Sequence, residues 1–518
     1  MKENEIVKKL IQKIIRDNGF KHRDFMQAKR QFAKQHKTPI LTNITILRHY
    51  RQLLKQGKIK ENKSLFSLLK RRGIRTLSGV AIITVLTKPY PCPGKCLYCP
   101  NELGMPKSYL KKEPAAQRAW LSKFDPAKQV KIRLEALKLT GHETDKIEMI
   151  ILGGSWTHYP KEYQEWFIKR LFEACNNRPA GNLEQAQKLN ETAKNRIIGL
   201  SVETRPDLIT ENEALWLRKL GVTRVEIGVQ TIYPEILKKV NRGHTTKEII
   251  KATQVLKDFG FKIIYHLMPN LPGSTPQKDL KMFKTIFSDS RFQPDMLKIY
   301  PCLVLKTAPL YKLWQQKKYK PYCEKQLNNL IISIKKIVPY YIRINRLIRD
   351  IPASYIMAGN KITNLRQLIQ EKGAKCNCIR CREARRKKVK LNETKKFIRK
   401  YQASEGTEYF ISFESPDKKI LYAFLRLRLS DSLAVPFNKQ KTAIIRELHT
   451  YGELVPIKER GGAIQHIGLG KRLMLAAEKI AKEKKYPKIA VISGIGVRDY
   501  YRKLGYQLKN TYMVKSLK

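Results

Sequence analysis

Three cysteines lie within eight consecutive residues of the stretch PYPCPGKCLYCP, at Cys92, Cys96 and Cys99. An odd number of thiols cannot all form disulfides, and a structural zinc site normally takes four ligands, as in paired CxxC motifs. A 4Fe-4S cluster held by three thiolates instead keeps one iron open for a further ligand. The spacing therefore favours an iron–sulfur cluster that binds something else.

The CxxxCxxC spacing, with the aromatic Tyr98 before the last cysteine, resembles the pattern of radical S-adenosylmethionine enzymes. In those enzymes the open iron chelates the amine and the carboxylate of S-adenosylmethionine. The resemblance implies that Cys92, Cys96 and Cys99 hold a 4Fe-4S cluster and that S-adenosylmethionine binds beside it.

A second group of thiols, Cys376, Cys378 and Cys381, lies in the stretch CNCIRC. This CxCxxC spacing can hold zinc if a fourth ligand arrives from elsewhere, and Cys302, Cys323 or a histidine are candidates. Reduced structural cysteines are the alternative. Clustered rather than scattered cysteines indicate a reducing compartment, the cytoplasm.

The stretch QHIGLG at residues 465–470 opens the helical pattern KRLMLAAEKIAKE. It resembles the Q-x-x-G-x-G loop of GNAT acetyltransferases, in which backbone N–H groups and the helix N-terminus bind the pyrophosphate of coenzyme A. The resemblance assigns Gln465, Gly468 and Gly470 to acetyl-CoA. It also implies that Tyr500 or Tyr501 lies beside the thioester; core packing is the alternative for both.

The charge of the chain is extreme, with 104 Lys and Arg against 44 Asp and Glu and a formal net charge of +60. Such an excess favours a polyanionic partner, nucleic acid first, over cationic peptides. Solvated lysine-rich surfaces are the alternative explanation. No run of 18 apolar residues exists, so we expect no membrane span.

Residues 1–78 contain 21 Lys and Arg against 5 Asp and Glu, with Ile6, Leu10 and Ile14 at helical spacing. We expect a basic helical module that binds tRNA phosphates, unless its charged face is merely solvated.

Residues 79–350 alternate β-branched runs with longer helical stretches, which predicts parallel βα units. The predicted strands are 79–87, 147–154, 196–204, 223–230, 262–268 and 295–301. The fold class is therefore α/β, with a partial (βα)6 barrel. Residues 351–394 are interpreted as a cysteine-containing linker and 395–518 as a GNAT-type α/β domain.

Chemistry in parallel barrels takes place at the carboxyl ends of the strands. The cysteine loop follows the first predicted strand. The next three predicted strands end in glycine or polar residues: Gly153 and Gly154, Glu203 and Arg205, and Gln230. His266 and His449 are predicted to be buried structural imidazoles.

The combination of both domains resembles the catalytic subunit of Elongator, which modifies the wobble uridine of tRNA, in its single-chain bacterial or archaeal form. The resemblance rests on ordered stretches such as CPGKCLYCP, GLSVETRPD, GVTRVEIGVQT, NRGHT, HLMPNLPGST, RDIPASYIMAGN and VISGIGVRDYYRKLGY. It implies that Gly153, Gly154, Glu203, Arg205 and Gln230 line the S-adenosylmethionine pocket, and that Lys298 lies by the acetyl group.

The activity implied by the resemblance is that of a tRNA carboxymethyluridine synthase. A radical derived from S-adenosylmethionine would activate the methyl group of acetyl-CoA, which would add to carbon five of the uridine in the anticodon loop. The acetyl donor must then reach into the barrel. A protein lysine acetyltransferase with a structural iron–sulfur barrel is the alternative, and a non-catalytic tRNA scaffold is a weaker one.

Two departures from the family pattern are Asn101-Glu102, where glycines are usual, and Ile467, where a basic residue is usual. Neither removes a ligand. The sequence leaves open a homodimer, accessory subunits, the reductant and the choice of tRNA.

Overall fold

The computed structural model describes residues 3–16, 22–69, 78–385, 393–431, 435–437, 440–451 and 468–517. These residues form a helical module, a curled parallel sheet flanked by helices, and a second, mixed sheet. This is the α/β architecture predicted from the sequence.

Four helices make the N-terminal module: α1 (Glu3–Arg16), α2 (His22–Gln35), α3 (Asn43–Lys55) and α4 (Lys63–Leu69). Apolar residues at helical spacing form its separate core, in which Leu10 and Ile14 of the predicted stripe are buried. The side chain of Ile6 lies outside the described part of the chain. The Arg51 guanidinium donates to the Lys138 carbonyl at 2.5 Å, which joins the module to the next domain.

The central sheet has seven strands: β1 (Ala81–Leu86), β2 (Lys146–Leu152), β3 (Arg196–Thr204), β4 (Arg224–Gln230), β5 (Lys262–Leu267), β6 (Met296–Ile299) and β8 (Arg343–Arg346). All neighbours pair in parallel in this order, so β1 and β8 are the edges. The six predicted strands are confirmed. The sequence does not predict β8, because its RINR sequence has one fully buried residue, Ile344. Two short strands, β7 (Val304–Leu305) and β9 (Ile356–Ala358), pair separately.

The helices that accompany this sheet in the chain are α5 (Pro114–Leu121), α6 (Pro126–Leu139), α7 (Lys161–Asn176), α8 (Leu183–Asn190), α9 (Glu211–Lys219), α10 (Pro234–Lys239), α11 (Thr246–Asp258), α12 (Pro276–Ser288), α13 (Leu310–Gln315), α14 (Glu324–Ile337), α15 (Leu365–Glu371) and α16 (Ile379–Arg382). The side chains of Asp125, Thr210 and Thr275 begin α6, α9 and α12 by accepting from backbone N–H groups of the first turn. Among the described helices, none is long and apolar enough to cross a membrane.

The inner face of β1 and β2 is left partly open. Ile83 and Met149 are fully buried on the outer face, whereas Ile82, on the opposite face of β1, is 39% exposed. Successive strand residues point to opposite faces, so this exposure lies inside the curl of the sheet. The interior of the partial barrel is therefore a cavity rather than a filled core.

The second sheet contains β10 (Lys395–Ala403), β11 (Gly406–Glu414), β12 (Leu421–Ser430), β13 (Thr442–Thr450), β14 (Lys488–Val491), β15 (Gln507–Lys509) and β16 (Tyr512–Ser516), with helices α17 (Leu469–Glu483) and α18 (Arg498–Arg502). Its order is β10-β11-β12-β13-β14-β16-β15, and only β13 and β14 pair in parallel. Leu473, Met474 and Ala477 bury the apolar face of α17. This is the C-terminal sheet domain expected from the sequence.

Buried ion pairs join the second sheet to the amino ends of the central strands. Arg446 of β13 donates to the carbonyl of Phe261, just before β5, at 2.7 Å and pairs with Asp295, just before β6. Arg428 of β12 pairs with Asp258 at 2.5 Å. A buried charge costs several kcal/mol unless it is paired, so this network holds the two domains in one relative position.

Candidate active site

The three thiols of the predicted cluster lie in the loop after β1 and line the cavity: Cys92, Cys96 and Cys99. Backbone hydrogen bonds anchor this cysteine loop on both sides. The Leu97 N–H donates to the Val240 carbonyl at 3.0 Å, and the Leu97 carbonyl accepts from the Leu310 N–H at 2.8 Å. The loop is thus held in place by the surrounding chain.

The spacing of these sulfurs differs from that of a single-ion site. They do not form a group within 4.8 Å of one another, a spacing met by the second cysteine group. Zinc–thiolate bonds of about 2.3 Å would draw three sulfurs closer than that. Burial, and next the neighbouring Cys96 thiol, raise the pKa of Cys99 to about 11, so metal binding must displace its proton. The loop fits a group larger than one ion.

Two buried guanidinium groups flank the cysteine loop with unused donors. Arg242 donates to the Cys96 sulfur at 3.5 Å, while its Nε has no hydrogen-bond partner among the described residues. Nη1 of Arg205 is also buried without a partner there, and a methyl group on Gly94 would lie 2.5 Å from it. A cluster with three thiolates and the carboxylate of S-adenosylmethionine are both anionic, so the residues present fit both groups.

Gly153 and Gly154 end β2 next to the cysteine loop, with φ of 138° and 94°. A methyl group on Gly153 would lie 1.7 Å from the Thr87 hydroxyl oxygen, so no side chain fits there. Gly154 lines the cavity. Gln230, at the end of β4, also lines it and has a positive φ of 68°, which is unusual for a side-chain-bearing residue.

Lys298 stands inside the cavity between two carboxylates. Its ammonium pairs with Oε2 of Glu226 and lies 3.4 Å from Glu203, and Nε2 of His266 lies 2.8 Å from the same Glu226 oxygen. Burial alone would lower the pKa of Lys298, but Glu226 and Glu203 hold it above its ordinary value. Lys298 is therefore a fixed cation and not a neutral base. His266, predicted to be structural, lines the cavity.

A chain of polar contacts continues from Glu226 toward the amino ends of the strands. The Ser201 hydroxyl donates to Glu226 at 3.1 Å, Arg224 donates to the same hydroxyl at 3.1 Å, and Arg224 also pairs with Glu148. The cavity follows this path and has a volume of about 1270 Å³. Its far end is lined by residues from the end of β13 and the segment that follows: Glu447, Leu448, His449 and Tyr451.

The described end of the predicted acetyl-CoA loop, Gly468 to Gly470, approaches the same strand end. Gly468, with φ of 79°, begins α17, and a methyl group on Gly470 would lie 2.9 Å from the Tyr500 hydroxyl and 4.0 Å from the Thr450 methyl. Tyr500 is 38% exposed, whereas Tyr501 is 6% exposed and packs edge-on against it. Gln465 lies outside the described residues. The start of α17 is thus next to the strand that closes the cavity.

Arginines line the cavity near both edges of the sheet. Arg118 and Arg133 come from helices beside β1, and a larger set comes from β8 and the residues after it: Arg343, Arg346, Arg349, Arg366, Arg380 and Arg385. Burial, and next the charge of Arg366, lower the pKa of Arg380 to about 10. The cavity is strongly basic on this side.

The second cysteine group meets the geometry of one metal ion. The sulfurs of Cys376, Cys378 and Cys381 lie within 4.8 Å of one another. Cys302 is buried beside Tyr319, and Cys323 is exposed; neither belongs to the group, nor does a histidine of the described residues. Cys175 is buried in the core as expected.

Sequence reasoning missed Arg242, Glu226 and the arginines after β8. Arg242 lies in the stretch NRGHT, between the motifs GVTRVEIGVQT and HLMPNLPGST. This position could have marked it as a candidate site residue. Glu226 alternates with apolar residues on β4, and no sequence pattern sets it apart from a solvated strand residue.

Comparison with known proteins agrees with this geometry. The Radical SAM superfamily matches residues 90–286 and the Radical_SAM C-terminal domain matches residues 294–375. The tRNA uridine(34) acetyltransferase of Methanocaldococcus infernus is 47% identical over 488 residues, covering 90% of this chain and 91% of that protein. Elongator complex protein 3 of Homo sapiens is 39% identical over 479 residues, covering 88% and 87%.

A solved structure extends the likeness to three dimensions. The archaeal Elp3 of Methanocaldococcus infernus, with residues 1–46 deleted, has a TM-score of 0.75 and 45% identity, and the match covers 85% of this chain and 100% of that one. The radical S-adenosylmethionine fold implies a 4Fe-4S cluster and S-adenosylmethionine as cofactors. The chain belongs to the family of Elongator complex protein 3 and the tRNA uridine(34) acetyltransferases.

Proposed function

We propose that this chain modifies tRNA by joining the methyl carbon of acetyl-CoA to carbon five of the wobble uridine, with one hydrogen lost from each carbon. Cleavage of S-adenosylmethionine to methionine and 5'-deoxyadenosine would supply the oxidation, and hydrolysis of the thioester would then release coenzyme A and leave a carboxymethyl group. The supporting observation is one cavity that is lined by the cysteine loop at one end and by Glu447, His449 and Tyr451 at the other. Two cofactor sites that opened on different surfaces could not act on one base. Gly470 approaches Thr450 at the end of β13, so a thioester arm held there would enter the cavity beside Tyr451 and reach toward the cysteine loop.

The cysteine loop would hold the iron–sulfur cluster, with Arg205 and Arg242 balancing its negative charge. When bound, the cluster and S-adenosylmethionine supply one-electron chemistry able to take a hydrogen atom from a methyl group. Gly154 and Gln230 would border S-adenosylmethionine, since both line the cavity beside the loop. The buried walls would exclude water from the radical step, which precedes hydrolysis of the thioester.

Lys298 would donate a hydrogen bond to the thioester carbonyl, because its ammonium is already charged and held in place by Glu203 and Glu226. Tyr500 would lie along the coenzyme arm, since its hydroxyl is next to Gly470 at the start of α17. The burial of Tyr501 supports a packing role for that residue.

The net charge of +60 supports tRNA as the substrate, because neutralised phosphates release counterions. The wobble base would have to leave its stack to enter the cavity. The basic N-terminal module would bind tRNA phosphates that are distant from the reacting base. The proposal places the reaction in the cytoplasm, where tRNA decodes messages.

The test is an anaerobic reaction of the full chain, reconstituted with iron and sulfide, with tRNA, S-adenosylmethionine, a reductant and acetyl-CoA labelled in both acetyl carbons. We expect labelled 5-carboxymethyluridine at the wobble position by mass spectrometry of the digested tRNA. Cys99→Ser should abolish the product. Cys323→Ser, a matched change at an exposed thiol outside the cavity, should retain it.

Two results would contradict the proposal. Acetylated lysines without a modified nucleoside would favour a protein lysine acetyltransferase. Product that lacks the label would exclude acetyl-CoA as the carbon source.

A further inference from the structure

The imidazole of His266 lies on the inner face of β5, next to the ammonium of Lys298. The two residues are direct partners in the parallel pairing of β5 with β6. Both line the cavity, and both contact the same carboxylate oxygen, Oε2 of Glu226. A group able to exchange protons and a fixed cation therefore lie side by side where the thioester carbonyl would bind.

The carboxylate of Glu226 decides which nitrogen of the imidazole carries a proton. Burial would raise the pKa of Glu226, but Lys298 and next His266 hold that pKa below its ordinary value. The group is therefore a carboxylate, which only accepts hydrogen bonds, so Nε2 of His266, 2.8 Å away, must be the donor. In the neutral ring Nδ1 is then unprotonated and is the hydrogen-bond acceptor.

Nδ1 of His266 is open to the cavity. It has no hydrogen-bond partner in the described part of the chain, and it does not belong to the buried polar atoms that lack one. The side chain is 14% exposed and lines the cavity. The ring of Tyr300 packs edge-on against the imidazole, with the ring centres 5.6 Å apart, and restricts its rotation. A water molecule in the cavity can therefore donate a hydrogen bond to Nδ1.

The carboxylates near His266 are less suited to accept a proton from water. Glu203 accepts from the Tyr109 hydroxyl at 2.5 Å and lies 3.4 Å from the Lys298 ammonium, and Glu226 is paired with both Lys298 and His266. Glu203, Glu226 and His266 also have the spacing of a metal site, but Lys298 already supplies a positive charge between the carboxylates. His266 is thus the proton acceptor that the cavity leaves available.

We propose that His266, oriented by Glu226, is the general base for hydrolysis of the thioester after its methyl carbon has joined the uridine. This inference rests on the proposed function and assigns a catalytic residue to its last step. Nδ1 takes a proton from a water molecule, and the water oxygen forms a bond to the thioester carbonyl carbon. The ammonium of Lys298 stabilises the negative charge that develops on the carbonyl oxygen.

Collapse of this tetrahedral species completes the step. The bond between the carbonyl carbon and sulfur breaks, and the electron pair of that bond goes to the sulfur. The proton held on Nδ1 of His266 passes to the same sulfur. The products are coenzyme A with a free thiol and a carboxymethyl group on the uridine, and the imidazole returns to its neutral form with Nε2 still donating to Glu226.

The experiment is a single-turnover reaction of the reconstituted full chain with tRNA, S-adenosylmethionine, a reductant and labelled acetyl-CoA. It measures 5'-deoxyadenosine, which reports the radical step, free coenzyme A, which reports hydrolysis, and the label on tRNA. His266→Gln keeps a donor for Glu226 but has no basic nitrogen, and His266→Ala removes both. His158→Gln is the matched control, because it changes an exposed imidazole outside the cavity.

In His266→Gln we expect the release of coenzyme A to slow by about 10²-fold or more, the usual contribution of a general base, while 5'-deoxyadenosine forms at the wild-type rate. The label on tRNA should then be found as an uncleaved thioester that still carries coenzyme A. Added imidazole should restore release in His266→Ala but not in His266→Gln, because only the smaller side chain leaves space for it. His158→Gln should match the wild type.

Release of coenzyme A at the wild-type rate in His266→Gln would overturn the inference. Equal losses of 5'-deoxyadenosine and coenzyme A would also overturn it, because a structural role or a role in an earlier step would produce them. If His266→Gln does not fold, His266→Ala decides, since its release is compared with and without imidazole in one protein; no increase with imidazole would contradict the assignment.

The wild type tests the proposed reaction separately. A labelled product in the wild type, with unchanged release in His266→Gln, rejects only the role of His266. Slower release in His266→Gln, with no label on tRNA in the wild type, rejects only the proposed reaction.

Discussion

Lys298 allows the sharpest test of the cavity, because it is 7% exposed and paired with the carboxylate of Glu226, which is 1% exposed. In Lys298→Met the side chain keeps a similar length but loses its charge, and Glu226 keeps His266 as a partner. Breaking a buried ion pair by removing one member costs about 3–5 kcal/mol. Because 1 kcal/mol shifts the melting temperature of a large domain by about 2–4 °C, we expect Lys298→Met to melt roughly 10 °C lower near neutral pH.

The destabilisation caused by Lys298→Met should change with pH in a definite direction. Burial alone would raise the pKa of Glu226, but Lys298 and His266 hold it below its usual range in the wild type. The ion pair therefore stabilises the fold above the unfolded pKa of the carboxyl, and this stability is lost as pH falls through the folded pKa. In Lys298→Met, burial should raise the pKa of Glu226. The loss of unfolding free energy relative to the wild type should therefore grow as the pH rises, by at most about 1.4 kcal/mol per pH unit.

The measurement is thermal unfolding of the full chain by near-ultraviolet circular dichroism at pH 5 and pH 8. Lys335→Met is the matched control, because Lys335 is fully buried on α14 and its Nζ has no hydrogen-bond partner among the residues described. That change should leave the melting temperature equal or higher. Lys298→Met combined with Glu226→Gln should recover most of the loss. A Lys298→Met protein that melts like the wild type, or with the same deficit at both pH values, would refute the reasoning.

Further predictions concern Gly153 at the end of β2, the second cysteine group, and the ion pair between Asp258 and Arg428. Gly153→Ala should weaken S-adenosylmethionine binding and cost about 1–3 kcal/mol, because its methyl group would meet the Thr87 hydroxyl; Thr87→Ala should relieve part of this loss, as read by calorimetry. We expect elemental analysis to find one zinc per chain in the wild type and none in Cys378→Ser, with iron unchanged; a wild type without zinc, or equal loss of both metals, would contradict a separate zinc site. Asp258→Asn should cost about 1–3 kcal/mol, because buried Arg428 loses one carboxylate partner but keeps Glu408 at 3.5 Å; an unchanged melting temperature would show that this contact does not hold the domains together.

The parts of the fold that were predictable are those encoded by neighbouring residues. Six strands of the central sheet follow from β-branched runs bounded by polar stretches, and the cysteine loop follows from thiol spacing alone. The strand β8 was not predictable, because the neighbouring strand and hydrogen bonds from Arg366 and Arg380 hold it in the sheet, and half of its own side chains are arginine. An apolar pattern in the sequence predicts a strand only when the strand buries its own side chains. A strand held in place by contacts from other segments has no such pattern.

The sequence by itself determined the chemistry of this protein: the thiols, the glycine turns, the excess of positive charge and the family to which they belong. Only the tertiary structure decided where these groups meet. Glu226, Lys298 and the end of β13 are far apart along the chain, and they share one cavity because the second sheet is locked beneath the amino ends of the first by ion pairs such as Arg446 with Asp295. The energy of such contacts depends on burial and on partners from distant segments. Neither can be predicted from the residues that adjoin each ion-pair member in the sequence.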